Sequence, residues 1–197
     1  MEHSSRSITI FGIGPVSRAD TFVTESEWKH VPMSTGDPRV DINEALLRYC
    51  RGIDRLDPLS VSSAFHPGAE LCDYGPEPLS IEAFVEHAMA SLGSRFRVTQ
   101  HRMSNTRIEF TNDDPSTGTA LVETYMLAYH VQDTDDGVLL HTFNGRYIDN
   151  FENRDGAWLI ARRTLRNDWS QVEPLGEPMR GSWVASGRAG TPDPIDG

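Results

Sequence analysis

Between Asp41 and Leu56 the apolar residues Ile42, Ala45, Leu46, Tyr49, Ile53 and Leu56 recur three or four positions apart, while Arg48, Arg51 and Arg55 fall on the opposite face. That spacing matches one side of a 3.6-residue helix, and the run DINE at its start reads as a capping box led by Asp41. Asp54 lies at the edge of the apolar stripe, one turn after Cys50. Periodicity leaves it open between a solvated carboxylate paired with Arg51 or Arg55 and one turned inward. Asp57 followed by Pro58 joins a capping side chain to a residue suited to the first helical turn, which predicts a second short helix through Phe65, stopped by His66, Pro67 and Gly68. A short strand from Ala69 to Asp73 comes next. Ser80 then caps a third helix with the stripe Ile81, Phe84, Val85, Ala88, Met89 and Leu92, and Gly93 is its expected stop.

After Phe96 the pattern changes to β-rich runs: Phe96 to Phe110, Thr119 to Gln132, Val138 to Asn153 and Ala157 to Trp169. The turn signals NDDPSTG, DTDDG and RDG separate them. Long strands joined by short hairpins form an antiparallel meander that must bend to cover a core. Helices first and a meander second predict an α+β fold: a cone-shaped barrel with three helices packed on a strongly curved, mostly antiparallel sheet that encloses a pocket. Such a pocket suits a small molecule. Asp149, Glu152, Arg154 and Asp155 near the last hairpin read as a charged surface turn. The domain therefore spans residues 41–169, between an N-terminal arm, 1–40, and a Pro/Gly-rich C-terminal tail, 170–197, in which Trp183 is the one large anchor.

Charge removes several function classes. The chain of 197 residues carries a formal net charge of −11, which disfavours nucleic acid and anionic membranes as partners, since both reward Lys and Arg. No basic-then-apolar leader or membrane-length apolar run is present, and the two cysteines, Cys50 and Cys72, lack metal-ligand spacing. A soluble cytoplasmic protein with reduced thiols and no metal site is the expectation. The stretch ITIFGIGP resembles a dinucleotide loop but has Ser17 where the third glycine belongs, and no helix signal follows.

The segments ALLRYCRGIDRLD, AFHPGAE, TQHRMSNTRIEF, ALVETYMLAYH, GRYIDNFENRDGAWLIARRT and NDW, taken together and in this order, resemble the SnoaL-like branch of the nuclear transport factor 2 superfamily. That branch includes γ-hexachlorocyclohexane dehydrochlorinase, scytalone dehydratase and bile acid 7α-dehydratase. The resemblance runs from Asp41 to Trp169 and implies the cone fold and a homo-oligomer, a trimer more than a dimer. It also implies a catalytic Asp–His dyad at Asp54 and His101, with Tyr49 five residues before the aspartate and Arg163 in the last strand, where Arg162 and Arg166 are close alternatives. Met103 and Phe143 are expected in the substrate-binding wall. His130, His141, Tyr125 and Tyr147 receive no role, and the two histidines are read as structural strand residues.

Elementary chemistry accords with that set. Taking a proton near neutral pH needs a base with a pKa close to ambient, which histidine supplies with little tuning. A carboxylate accepting from its Nδ1–H fixes the tautomer and stabilises the imidazolium that forms. Arg163 and the Tyr49 hydroxyl could then stabilise charge on a departing oxygen or an enolate, with no external cofactor. Three classes remain open at this point: a cofactor-independent lyase that expels water, halide or a C1 fragment from a hydrophobic cyclic or aromatic molecule, an isomerase or cyclase sharing the base, and a non-catalytic ligand-binding or dioxygenase-small-subunit-like protein.

Overall fold

The structure is a computed structural model, and it describes residues 34–112, 114 and 117–176. Most of the arm and tail, including ITIFGIGP and Trp183, lies outside the described residues. The first helix, α1 (Pro38–Arg55), starts earlier than the capping box suggests. Asp37 is the cap, accepting from the Arg39 N–H at 2.9 Å, and Pro38 takes the first helical turn. Asp41 is thereby drawn inside the helix, where its carboxylate accepts from the Thr35 N–H and hydroxyl at 2.9 and 2.8 Å. Leu56 ends the helix in a left-handed conformation at φ 56°.

Asp57 caps α2 (Pro58–Ser62) as expected, accepting from the N–H groups of Leu59 and Ser60. The short helix stops before Phe65, because Phe65 opens strand β1 (Phe65–Cys72) instead. His66, Pro67 and Gly68 are absorbed there by a register shift between Phe65 and Glu70, with Gly68 at φ +73°. The two helices meet at Gly52: a Cβ there would stand 2.7 Å from both Val61 Cγ2 and Val61 N. This close approach locks the end of α1, and with it Asp54.

Strand β2 (Leu79–Ser80) leads into α3 (Ile81–Arg95), capped by Ser80. Gly93 does not stop α3. The helix runs on through this exposed glycine until buried Phe96 turns extended.

Strands β3 (Val98–Phe110), β4 (Thr119–Thr134), β5 (Gly137–Arg154) and β6 (Ala157–Pro174) form the expected meander. Asp155 and Gly156, both at positive φ, close the tight β5–β6 turn. In the sheet order β2-β1-β6-β5-β4-β3, every pair is antiparallel except β1 with β6. Among the described residues the fold is α+β, with three helices and a sheet that is curved but not closed. Strand β6 continues past Trp169 because β5 begins at Gly137 and offers it partners as far as Pro174. Asp149 is not at a surface turn: it lies inside β5, opposite Arg163, and both are fully buried.

Candidate active site

Asp54 occupies the last turn of α1, and His101 stands near the start of β3. One carboxylate serves the histidine twice. Its Oδ2 accepts the His101 backbone N–H at 2.8 Å, and its Oδ1 accepts from the ring Nδ1 at 2.7 Å. The backbone bond sets the height of the strand against the helix, and the ring bond selects the tautomer protonated at Nδ1. Nε2 is the ring nitrogen that remains to meet another molecule. Both side chains are largely shielded, with 8% of His101 and 19% of Asp54 exposed.

A pocket opens at His101 between the helices and the concave face of the sheet, with about 510 Å³ of empty space when the open solvent at its entrance is included. Ile53 of α1, Phe84 and Leu92 of α3, and Phe143 and Leu165 of the sheet give it a mainly apolar wall. Tyr49 and Phe143 line it as expected. Met103 does not: it packs on the core, and Met126, its partner on β4, holds the wall at that level.

Arg163 is also absent from the wall. The register that sets it opposite Asp149 lets its Nε and Nη2 donate to the two carboxylate oxygens at 2.7 Å each. The guanidinium carbon sits 4.2 Å from the Tyr49 ring centre and 4.0 Å from that of Tyr147, so the cation is held between two aromatic faces. Burial alone would lower its pKa, but Asp149 outweighs burial and holds the group well above its ordinary range. Asp149 thus engages Nε and Nη2, while Nη1 is buried without a hydrogen-bond partner among the described residues.

The rings above the cation form a cluster. Tyr49, Tyr74 and Tyr147 all line the cavity and are buried. Burial raises the pKa of Tyr49, against the pull of the Arg163 charge and of hydrogen bonding from Tyr74 and Tyr147. All three phenols are thus kept as neutral O–H groups. Cys50 beside them is an inert thiol, pushed up to about 12 by burial.

Four polar wall residues went unassigned in the sequence. Tyr74 sits in the turn-rich stretch after β1, where no periodicity shows direction. Tyr147 and His130 lie on the inward rows of β5 and β4, a fact that depends on knowing which face of each strand looks inward. His130 is read as structural from its strand position. Its ring is 5.4 Å from His101 and 5.1 Å from Phe143, in the wall itself. Asn167 reaches the wall through a bulge, described below. His141 instead meets Gln132 at 2.8 Å, and Tyr125 is exposed. Among the described residues no group of His, Cys, Asp and Glu could hold a metal ion, and no helix is long and apolar enough to cross a membrane.

Comparison with known proteins places this architecture. A scytalone dehydratase candidate from Novosphingobium aromaticivorans matches at 23% identity over 72% of this chain and 95% of its own, with a TM-score of 0.57. The type 3 hexachlorocyclohexane dehydrochlorinase from Novosphingobium barchaimii matches at 18% identity over 71% and 94%, with a TM-score of 0.60. A protein of unknown function with a cystatin-like fold from Nostoc punctiforme matches at 20% over 66% and 90%, with a TM-score of 0.52. At these identities the likeness shows the fold alone. No curated protein matches the chain. The family model for the SnoaL-like domain matches residues 37–164, a span that holds α1, the Asp54–His101 contact and the tyrosine cluster, and the chain belongs to that family, within the nuclear transport factor 2-like superfamily.

Proposed function

We propose that the chain is a cofactor-independent lyase acting on a hydrophobic cyclic or aromatic small molecule in the cytoplasm, with Asp54 and His101 as its catalytic dyad. The observation that carries this reading is the double hydrogen bond from His101 to Asp54, with His101 in the wall of a mainly apolar pocket that three tyrosines also line. His101 Nε2 removes a proton from a substrate carbon, and the electron pair of that bond becomes the new carbon–carbon π bond. The leaving group on the neighbouring carbon departs with its own bonding pair. Asp54 stabilises the imidazolium so formed and holds the ring in register. Where the leaving group is hydroxide, the imidazolium returns the proton and water is released. The Tyr49 hydroxyl donates to an oxygen that gathers negative charge, and the raised pKa of this phenol keeps it a donor. Arg163 acts through Tyr49 and Tyr147, as the cation that fixes their rings, and Phe143 supplies apolar wall.

In the same reading the protein is a homo-oligomer, most simply a trimer. Leu121, Tyr125 and Trp169 stand exposed on the sheet strands and need cover.

The test is incubation with neutral ring compounds in deuterated water, read by mass spectrometry. A mass loss of water, hydrogen halide or formaldehyde in the wild type, absent in His101→Ala, supports a lyase. Deuterium uptake with no mass loss would instead make the protein an isomerase, and neither change would leave it a binding protein.

A further inference from the structure

The β5–β6 pairing slips at one point. Asn144 pairs with Trp169, but Gly145 pairs with Asn167, so Asp168 is an extra residue on β6. Two features build this bulge. A Cβ on Gly145 would overlap the Arg166 carbonyl oxygen, so only glycine lets the two backbones come so close. On the outer side Arg146 forks onto Asp168, at 3.2 Å from Nε and 3.1 Å from Nη2, and its Nη1 reaches Glu123 on β4 at 3.0 Å. A planar fork held at both ends sets direction as well as contact. The extra residue is pulled outward, and its neighbour Asn167 is left lining the pocket.

The Asn167 amide has work to spare there: its Nδ2 reaches the Ser170 hydroxyl only at 3.5 Å, the limit of a hydrogen bond. Among the described residues no Lys, Arg, Asp or Glu lines the cavity, so its wall offers a charged ligand no counter-charge, although Asn167 itself is exposed to solvent. A carboxamide, with a donor and an acceptor, matches a hydroxyl or carbonyl oxygen. It also stands apart from the dyad. Strands β3 and β6 are separated by β4 and β5, which at about 4.8 Å per strand is roughly 14 Å along the sheet, shortened by its curvature.

We propose that Asn167 is a specificity-determining residue that hydrogen-bonds an uncharged oxygen on the substrate at the end remote from His101, and that the Glu123–Arg146–Asp168 clamp is the positioning device that holds it in place. This rests on the pocket being the substrate site, as in the function proposed above, and adds the substrate class: a neutral, ring-based molecule with a hydroxyl or carbonyl distant from the carbon that loses its proton.

Binding tests it without turnover. Calorimetric titration of 2-naphthol and of naphthalene into wild type, Asn167→Ala, Arg146→Met and the double variant, each checked for folding by circular dichroism, compares ligands that differ by one hydroxyl. Asn167→Ala should weaken 2-naphthol by about three- to ten-fold and leave naphthalene unchanged, as one neutral hydrogen bond requires. Arg146→Met, outside the pocket, should weaken 2-naphthol in the same direction, and the double variant should be no weaker than Asn167→Ala alone. Equal losses for both ligands, or none for either, would overturn the role of Asn167. An additive double variant would overturn the clamp, and failure of both ligands to bind the wild type would overturn the whole inference. A protein that binds 2-naphthol through Asn167 but removes no substrate proton would keep this assignment and lose the lyase reading alone.

Discussion

At the scale of single residues, Arg163 is the sharpest case of a group whose partner decides its meaning. A buried cation without its anion is costly, so Arg163→Met should destabilise the protein by about 3–5 kcal/mol, because Asp149 would be left charged and unpaired. Adding Asp149→Leu should recover much of that loss, since removing both charges removes the desolvation cost. Urea unfolding of the two variants checks this, and an additive further loss in the double variant would contradict it. Neither half of the pair was legible as such in the sequence. Asp149 reads there as part of a charged turn, because acidic and basic residues crowd the hairpin and nothing local tells where alternation gives way to turn. Asp54, His101 and Tyr49 were named as a site by resemblance. Tyr49 lies squarely on a helical stripe, which alone reads as core, and like Asp54 and His101 it stood out as a site residue through family resemblance, since a helix-edge acid and a strand histidine are usually unremarkable.

At the scale of elements, two sites test how the helical layer is fastened. Gly52→Ala should cost about 1–3 kcal/mol, because the added methyl meets the Val61 backbone nitrogen as well as its side chain and the helices must part. The same separation would move Asp54, so a fall in turnover should accompany the fall in stability. His66, in β1, is buried and donates from Nε2 to the Glu152 carbonyl at 2.9 Å. Burial lowers its pKa below the ordinary 6.5, with the Arg154 charge adding to the effect and the Glu152 carbonyl and carboxylate opposing it. A depressed histidine pKa means that the unfolded chain takes up the proton more readily. Its contribution is therefore complete above pH 6.5 and is lost as pH falls from there through the folded value. Wild type should lose more Tm between pH 7 and pH 5.5 than His66→Gln, and equal losses would refute this reading. Helix identity was plain from period and caps, but the ends were not. Asp37 outcompeted Asp41 as the cap because a proline followed it, and Gly93 stayed helical as an exposed residue inside α3, where a helix can carry a glycine at modest cost.

At the scale of the whole molecule, the order of helices and strands shows the α+β class in the sequence, while the parallel pairing of β1 with β6 does not. That contact joins residues far apart in the chain and leaves no local trace in β1, which holds only a few alternating positions. Light scattering should report a particle larger than one chain of 22.0 kDa, a trimer on the present reading, and Trp169→Lys should shift it toward monomer. A monomer at working concentration would remove the oligomer from the proposal. The central claim is that Asp54 and His101 work as one unit, and the most direct measurement is the rate of substrate proton loss in Asp54→Asn, His101→Ala and the double variant. Asp54→Asn should lower it by about 10²–10⁴-fold with the fold intact, through the wrong tautomer and the lost imidazolium partner. His101→Ala should lower it at least as much, and the double variant should fall little below the worse single one. A change of less than about threefold in Asp54→Asn, the size expected of a surface substitution, or a double variant whose losses simply multiply, would contradict the claim.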